Sequence, residues 1–257
     1  MRKQYGVATP AEWPRACEAA VSVLQDVLAD DGRLGALVSP MLGSEEAFLL
    51  GRFLRGLDEK AVLGVGPVPV EGEDKSFPGG YTVRAEKAPN ARGVRRGLEL
   101  LGGEVVDADA FTERLGADED PVRGVLVTGN YPSDWPEAPL VKAIGRKHTL
   151  VLIDTLPTAL VDKADVVLPS ATWLEKAGSF ENAENRIQSF EPAISPIVGT
   201  RPEGQVALEL MAAAELAERG LFDAEAVRME MGGLFVAEIY HPAAEDLPEP
   251  ELEYVEL

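Results

Sequence analysis

The stretch HTLVLIDTLPTALVDKADVVLP, residues 148–169, decides the fold class of this chain. It contains two apolar runs of strand length, HTLVLID (148–154) and DVVLP (165–169), and the intervening TALVDKA predicts a short helical turn. An earlier run, RGVLVTG (123–129), is followed by the helix-like segment APLVKAIGR. Strands that are apolar throughout and alternate with helices are typical of a parallel sheet covered on both faces. We therefore predict a three-layer α/β domain with a Rossmann-like parallel sheet.

The same alternation of helix and strand extends through the N-terminal half of the chain. A helix is predicted to begin with Thr9 as its cap and to run to Leu28, and LGALVS (34–39) predicts a strand. Ser44 is expected to cap the helix EEAFLLGRFLRGL, and AVLGV (61–65) is the next strand candidate. These elements supply the first part of the predicted sheet.

Two further segments set the predicted domain organisation. Residues 66–90 are rich in glycine and proline and show no sustained period, which predicts a long loop or a site where something was removed. A helix is predicted from about Ala91 to Leu101, and RPEGQVALELMAAAELAERG (201–220) predicts a long closing helix. We predict a single domain over residues 1–220, followed by an acidic tail or docking extension over residues 221–257.

The charge balance excludes one class of partner. The formal net charge is −20 and no basic stripe is present, which disfavours binding to nucleic acid. The segment HPAAEDLPEPELEYVEL (241–257) interleaves acids with apolar residues, so both a solvated tail and a segment that docks on a partner remain open. No apolar run approaches the roughly 20 residues that span a bilayer, and the start does not resemble a secretory signal. We expect a cytoplasmic chain that does not insert into the membrane directly. Partner subunits could hold such a chain at the cytoplasmic face of the membrane.

The cysteine and histidine content argues against a self-contained metal centre. Cys17 is the one cysteine, which excludes an internal disulfide and any iron–sulfur cluster held by cysteines of this chain alone. Because Cys17 shares an apolar stripe with Val21 and Leu24, we predict a buried structural thiol. His148 and His241 lie far apart and match no zinc spacing. We therefore predict no metal site formed by this chain by itself.

The predicted topology places a candidate site at the carboxyl edge of the sheet. Ligands of open parallel sheets bind in the crevice beyond the carboxyl ends of the strands. The loops there carry polar groups suited to a nucleotide, namely Gly129-Asn130-Tyr131, Asp154-Thr155 and the residues from Ser170 onward. GVGPVP (64–69) lacks the third glycine of the dinucleotide fingerprint and precedes no capped helix, so we do not assign it a phosphate.

No residue is predicted to be catalytic. Ser-His-Asp chemistry needs a free base, and His148 falls inside a strand pattern that favours a core or edge position. Glu175 and Glu181 flank a loop, where glutamates are usually solvated or salt-bridged.

The residues after the last predicted strand follow the order of a known family. DVVLPSATWLEKAGSFENAENRIQ (165–188) resembles the molybdopterin oxidoreductase pattern A-D-V-V-L-P, then E-K-x-G-T-F-x-N-x-E-x-R-x-Q, with Ser179 at the usual threonine. That family includes the catalytic subunits of formate dehydrogenase and the large iron–sulfur subunit of respiratory complex I. EWPRACEAAVSVLQDVL, SPMLGSEEAFLLGRFLRGL, APNARGVRRGLELLGG and TGNYPSDWP are similar to family segments in the same order. The resemblance covers about residues 5–215.

Several parts of the family pattern have no counterpart in this sequence. The family's cysteine-ligated iron–sulfur segment and C-terminal β-barrel are not matched, and the second α/β domain is reduced to residues 66–90. Where the family places its metal ligand, after AVLGV, this chain reads GPVPVEG, without a thiol or hydroxyl. The resemblance to one nucleotide-binding half implies a chain that cannot enclose a two-pterin cofactor by itself.

The resemblance implies a non-catalytic structural subunit of an electron-transfer oxidoreductase complex. NADH:quinone oxidoreductase (complex I) is the type expected, with the iron–sulfur clusters on partner subunits and no cofactor in this chain. In this interpretation Gly178 permits a backbone angle that other residues resist, and Arg186 pairs with Glu175 or Glu184.

Two other functions remain open. One is half of a split molybdopterin-dependent oxidoreductase that binds part of molybdopterin guanine dinucleotide; the other is a stand-alone small-molecule-binding domain. The split enzyme would use Asn130, Asp154 and Thr155 for the guanine nucleotide, and Gly178, Asn182 and Arg186 near the pterin.

Overall fold

The described part of the chain comprises five ranges. The computed structural model describes residues 2–4, 7–78, 80–145, 148–237 and 239–240. His241 and the acidic segment 241–257, for which a tail or docking role is predicted, lie outside the described residues.

Six parallel strands form the centre of the fold. The strands of the described chain are β1 (Arg2–Gln4), β2 (Val7–Thr9), β3 (Arg33–Val38), β4 (Val62–Val65), β5 (Lys75–Ser76), β6 (Thr82–Val83), β7 (Val105–Val106), β8 (Val122–Thr128), β9 (Thr149–Asp154), β10 (Val166–Pro169), β11 (Gly178–Glu181), β12 (Ile187–Phe190) and β13 (Ile239–Tyr240). The main sheet runs β2-β1-β10-β9-β8-β3-β4-β7, and all of its strands except β1 and β2 are parallel. Among the six parallel strands this is the order 3-2-1-4-5-6 of Rossmann folds.

Helices cover both faces of the sheet. They are α1 (Trp13–Ala29), α2 (Ser44–Leu57), α3 (Ala91–Glu99), α4 (Ala108–Gly116), α5 (Ala138–Ala143), α6 (Glu203–Ala213), α7 (Ala224–Met231) and α8 (Leu234–Ala237). Side chains of α1, α2, α3, α6 and α7 share one core with Ala36 and Val38 of β3, whereas α4 and α5 share a second core with Leu37. Successive residues of a strand point to opposite faces, so two cores follow from one sheet. The predicted three-layer α/β fold is confirmed.

The predicted boundaries of two helices are wrong at their first turn. Thr9 belongs to β2, and α1 begins at Trp13 after Glu12 as N-cap, with a proline in the first turn. Gly43 is the N-cap of α2, while the Ser44 hydroxyl donates to the backbone oxygen of Ser179 at 3.1 Å. Ser44 therefore fastens α2 to β11 instead of capping its own helix.

Residues 66–90, predicted as a long loop, and the residues from 201 onward, predicted as a long helix and then an acidic extension, contain further structure. Residues 66–90 contain the small antiparallel hairpin β5–β6. The closing helix α6 ends at Ala213, shortly before Glu215 at a positive φ of 58°, a conformation that interrupts a right-handed helix. Helix α7 packs against α2 beyond residue 220. The chain that follows residue 220 therefore begins with a packed helix.

The helices of the fold are too short or too polar for a bilayer. Among the described residues, none has both the length and the apolar character needed to cross a membrane.

Candidate functional site

A cleft lies at the carboxyl edge of the sheet, where the strand order reverses between β3 and β8. Its volume is about 610 Å³. Loops that follow β3, β8, β9 and β10 contribute to its lining, and Phe180 of β11 closes one side. This is the position at which open α/β sheets bind ligands. The polar loops that follow β8, β9 and β10 therefore lie at the carboxyl edge of the sheet, as predicted.

Asn130 connects this cleft to the interior of the protein. Its backbone adopts a positive φ of 74°, a conformation that asparagine tolerates better than most residues. Its side-chain nitrogen donates to the backbone oxygen of Ala171 at 2.8 Å and to Oε1 of Glu203 at 2.7 Å. Asn130 therefore lines the cleft while its side-chain nitrogen makes both of these hydrogen bonds within the protein.

The carboxylate of Asp154 is surrounded by donors from the chain itself. Oδ1 accepts hydrogen bonds from the backbone nitrogens of Asn130 at 3.0 Å, Thr155 at 2.7 Å and Leu156 at 3.3 Å. Oδ2 accepts from Nε1 of Trp135 at 2.9 Å. Asp154 is 4% exposed, so these donors hold the carboxylate inside the loop cluster.

Gly129 is required at this point because of Asp154. A Cβ atom on Gly129 would lie 2.1 Å from the Asp154 carboxyl group. No side chain fits at that distance, so the loop after β8 can approach β9 only through a glycine.

Tyr131 and Trp135 form an aromatic wall beside the cleft. Their rings stack with a centroid distance of 4.7 Å, and the Tyr131 hydroxyl donates to the backbone oxygen of Pro67 at 2.7 Å. Burial raises the pKa of Tyr131 above its ordinary value, so this hydroxyl stays protonated. The Trp135 ring, whose Nε1 donates to Asp154, covers that carboxylate. Trp173, which is 55% exposed, lies at the opening of the cleft.

Lys176 of the family motif is buried between two carboxylates. Its Nζ lies 2.9 Å from Oε2 of Glu46 and 2.5 Å from Oε2 of Glu203, and all three side chains are almost fully buried. Burial lowers the pKa of Lys176, but the charges of Glu203 and Glu46 outweigh burial and raise it. Burial raises the pKa of Glu203 to about 7. This buried triad joins α2, the motif loop and α6, and sequence reasoning did not identify it.

A second buried ion pair attaches α7 to the same region. Arg228 Nη1 donates to Oε1 of Glu45 at 2.7 Å, and Oε2 of Glu45 accepts from the backbone nitrogen of Ser179 at 2.8 Å. Burial raises the pKa of Glu45 above its ordinary value. The pair therefore links α2, α7 and β11 at one buried point.

Asn90 is a further buried connector that sequence reasoning missed. Its side-chain nitrogen donates to the backbone oxygen of Leu42 at 2.7 Å, and its Oδ1 accepts from the backbone nitrogen of Glu181 at 2.7 Å.

The buried Glu181 carboxylate forms two hydrogen bonds with Arg96, at 2.8 and 2.5 Å. Glu181 is thus salt-bridged, as predicted.

Glu175 has a structural role in the loop before β11. Its Oε2 accepts from the backbone nitrogen of Thr172 at 2.7 Å, and its Oε1 accepts from the backbone nitrogen of Ile197 at 2.7 Å. The backbone N–H of Thr172 lowers the pKa of Glu175, which keeps it ionised. Glu175 therefore ties residues 191–200 to the short helical turn Trp173–Glu175.

The other motif residues lie on the β11–β12 hairpin. Gly178 is not at a positive φ, so the predicted conformational role is wrong; a Cβ there would approach the Phe190 ring to 3.0 Å. Asn182 Oδ1 accepts from the backbone nitrogens of Glu184 at 2.9 Å and Arg186 at 3.0 Å, which fixes the hairpin turn. Arg186 is exposed on that turn.

The six predicted contact residues thus fall into two groups. Asn130 and Thr155 line the cleft and Asp154 lies buried beside it, whereas Gly178, Asn182 and Arg186 are not among the residues that line it.

Cys17, predicted to be structural, is buried, and burial raises the pKa of its thiol to about 11. A thiol that stays protonated is a poor metal ligand.

The residues at this edge do not fit a pterin guanine dinucleotide. Asp154 is already saturated by four donors of this chain, and the indole of Trp135 is one of them. Among the described residues that line the cleft, Lys87 is the one cation, and its Nζ donates to the backbone oxygen of Arg84 at 2.6 Å. A pyrophosphate is typically held by several charged donors, and Lys87 is the one charged donor among these residues.

Comparison with known proteins agrees with the sequence motif. Residues 107–213 match the model of the molybdopterin oxidoreductase family. The resemblance to the molybdopterin oxidoreductase family is confirmed. The matched residues begin just before α4 and end with α6, so they include β8, β9, β10 and the whole motif hairpin.

Three of the matched relatives are named as oxidoreductases or as subunits of oxidoreductases. The G subunit of the NADH-quinone oxidoreductase of Streptomyces coelicolor is 32% identical over 136 residues, which cover 51% of this chain and 15% of that protein. A nitrate reductase of Symbiobacterium thermophilum is 34% identical over 95 residues, covering 37% of this chain and 13% of that protein. The alpha subunit of an F420-dependent formate dehydrogenase of Methanocaldococcus jannaschii is 36% identical over 77 residues, covering 29% and 11%.

The matches are partial in both directions. This chain spans less than a fifth of the length of each of these relatives. Among solved structures, acetylene hydratase from Pelobacter acetylenicus matches 43% of this chain and 16% of that protein, at 20% identity and a TM-score of 0.35.

Proposed function

We propose that this chain is a non-catalytic structural subunit of an electron-transfer oxidoreductase complex of the NADH:quinone oxidoreductase type. The observation that carries the proposal is the use of the family's polar residues inside the fold. Lys176 is enclosed by Glu46 and Glu203, and Asp154 is enclosed by backbone donors and Trp135. Asp154, which the split-enzyme alternative assigns to the guanine nucleotide, and Lys176 of the family motif thus both make their contacts within the domain.

The redox centres of such a complex belong on its partners. The sequence has one cysteine, Cys17, and its thiol is buried with a pKa raised to about 11. Cysteine-held iron–sulfur clusters require several thiolates. The proposal therefore includes iron–sulfur partner subunits, which would also set any attachment to the cytoplasmic face of a membrane.

The names of the relatives support the type of complex. The G subunits of NADH-quinone oxidoreductases from several bacteria are among the matched proteins, at 31–32% identity. Three exposed apolar side chains follow the motif closely in sequence: Ile194, Ile197 and Val198 are 55%, 68% and 100% exposed. A partner that covered them would remove apolar surface from water.

Size-exclusion chromatography of an extract of the native host tests this proposal. A chain tagged at its N-terminus should elute far above its own 27.5 kDa together with iron, and the pooled fractions should contain no pterin equimolar with the chain. Elution as a single chain without iron would contradict the proposal. Equimolar pterin would instead support the second candidate, half of a split molybdopterin enzyme.

A matched pair of charge reversals refines this experiment. Arg186→Glu changes the exposed hairpin turn of the family motif, and Arg219→Glu changes an exposed residue after α6. If the motif hairpin faces a partner, the first variant should shift the chain toward lower apparent mass and the second should not. Equal behaviour of both variants would remove the hairpin from the interface.

A further inference from the structure

The cleft at the carboxyl edge has walls of an unusual kind for a nucleotide site. Tyr131, Trp173 and Phe180 present aromatic rings to a space of about 610 Å³, and Met41 and Leu156 add aliphatic surface. Ligand pockets for compact organic molecules have volumes of about 300–1,000 Å³ and mainly apolar walls. The space therefore suits a compact aromatic molecule.

Two of these aromatic walls are fixed before any ligand arrives. Tyr131 is held by its stack on Trp135 at 4.7 Å and by its hydrogen bond to Pro67. Phe180 packs on Phe190 at a centroid distance of 4.5 Å. A preformed wall reduces the entropic cost of binding, because few side chains must be ordered.

The charges around the cleft disfavour an anion. Asp154 and Glu203 lie behind Asn130, buried and within hydrogen-bonding distance of it. Lys87 is engaged with the backbone oxygen of Arg84. The charge of Glu203 is paired with Lys176, so a phosphate would chiefly meet the buried carboxylate of Asp154, with Lys87 as the one cation among the described lining residues. An uncharged ring system would carry no charge to be repelled.

Two polar groups remain to orient a ligand. Asn130 lines the cleft, and because its amide nitrogen donates to Ala171 and Glu203, its side-chain oxygen is the atom of that amide left to accept a hydrogen bond from a ligand. Thr155 adds a hydroxyl to the lining. A few polar groups among apolar walls are what fixes the orientation of a small ligand.

We propose that this cleft binds an uncharged fused aromatic ring system carrying a carbonyl or hydroxyl group, and that it does not bind a guanine nucleotide. The proposal reassigns the edge of the sheet at which the family likeness predicted a nucleotide. It is independent of the proposed subunit role, because it concerns a small ligand of this chain and not a partner.

Fluorescence titration of the purified chain with the uncharged naphthalene ketone prodan tests this proposal, with GDP titrated in parallel by calorimetry. Prodan should bind one-to-one with a saturable blue shift, and GDP should show no saturable heat. Trp173→Ala, at a half-exposed position, should weaken prodan binding at least about tenfold, because one aromatic wall is removed. Thr155→Val should weaken it by a smaller factor through the lost hydroxyl.

The matched control removes an exposed aromatic ring elsewhere. Tyr81, 67% exposed on the 66–90 segment, does not line the cleft, so Tyr81→Ala should leave prodan binding unchanged. Saturable binding of GDP would overturn the proposal. Prodan binding that is absent, does not saturate, or is equally strong in wild type, Trp173→Ala and Thr155→Val would overturn it as well.

Discussion

Lys176 and Glu203 form a buried ion pair in which Nζ lies 2.5 Å from Oε2, although 27 residues separate them in sequence. Glu46 of α2 shares the same ammonium group at 2.9 Å. Two carboxylates therefore surround one ammonium at a site without solvent. The N-terminal ends of α2 and α6, where Glu46 and Glu203 stand, supply the remaining stabilisation of the negative charge.

Replacing the shared lysine should destabilise the fold strongly. Lys176→Met leaves two buried carboxylates without their cation, which typically costs about 3–5 kcal/mol of unfolding free energy. Urea unfolding at pH 7 measures this loss. The loss should shrink at pH 5, where Glu203 can take up a proton, and a loss below about 1 kcal/mol at pH 7 would contradict a buried triad.

The unfolding free energy should fall as the pH rises toward neutrality. Burial raises the pKa of Glu203 from 4.5 to about 7, so between these values the folded chain holds a proton that the unfolded chain has released. The stabilisation is complete below about pH 4.5 and is lost as the pH rises through about 7; it amounts to on the order of 3 kcal/mol. Urea unfolding from pH 5 to pH 8 measures the slope.

The Glu203→Gln variant isolates this contribution. It should be less stable overall, because a glutamine must turn a donor toward Lys176 or Asn130, but its slope between pH 5 and pH 8 should be flatter. Glu59→Gln, at an exposed position, is the control and should keep the wild-type slope. Identical slopes in all three proteins would refute the assignment to Glu203.

Helix α7 should contribute to the stability of the domain. Arg228 is the cation of the buried Glu45, so Arg228→Leu should cost about 3–5 kcal/mol. Arg219→Leu removes an exposed arginine and should change the unfolding free energy by less than about 0.5 kcal/mol. Equal effects in chemical unfolding would mean that α7 is not part of the cooperative unit.

Asn182 should act through its carboxamide oxygen. Asn182→Ala removes the acceptor of the Glu184 and Arg186 backbone nitrogens and should lower the unfolding free energy by about 1–2 kcal/mol. Asn182→Asp keeps an acceptor at the same place and should lose much less. Comparable losses in thermal unfolding would indicate that the hairpin turn does not depend on this acceptor.

The layers of the fold could be predicted because its strands are short apolar runs. β9 and β10 fall within two of the runs from which the sheet was inferred, and β8 begins one residue before the third. β8 and β9 are buried along almost their whole length, whereas β10 is buried on the side of Val166 and Leu168. Helix α4 was missed because only Phe111 and Leu115 of its nine residues are buried, too few to show a helical period. Its local signals were the cap Asp107, the acidic Asp109 in the first turn and the basic Arg114 in the last turn.

The interior contacts of the site could not be predicted from the sequence. Glu46 and Lys176 stand on separate elements, and nothing in either segment indicates that they meet. The family motif includes Lys176 and Glu175, but it did not show that both side chains connect separate segments of the domain. Gly178 was assigned a conformational role, whereas the structure shows a close approach of the Phe190 ring, which pairs with it across the β11–β12 ladder.

The most direct test of the subunit role is the intact mass of the complex under non-denaturing conditions, after gentle purification from the native host. We expect one copy of this chain together with iron–sulfur partner subunits, and no mass corresponding to a pterin nucleotide on the chain once the complex is dissociated. A pterin nucleotide that remains with this chain, or a chain without partners, would contradict it.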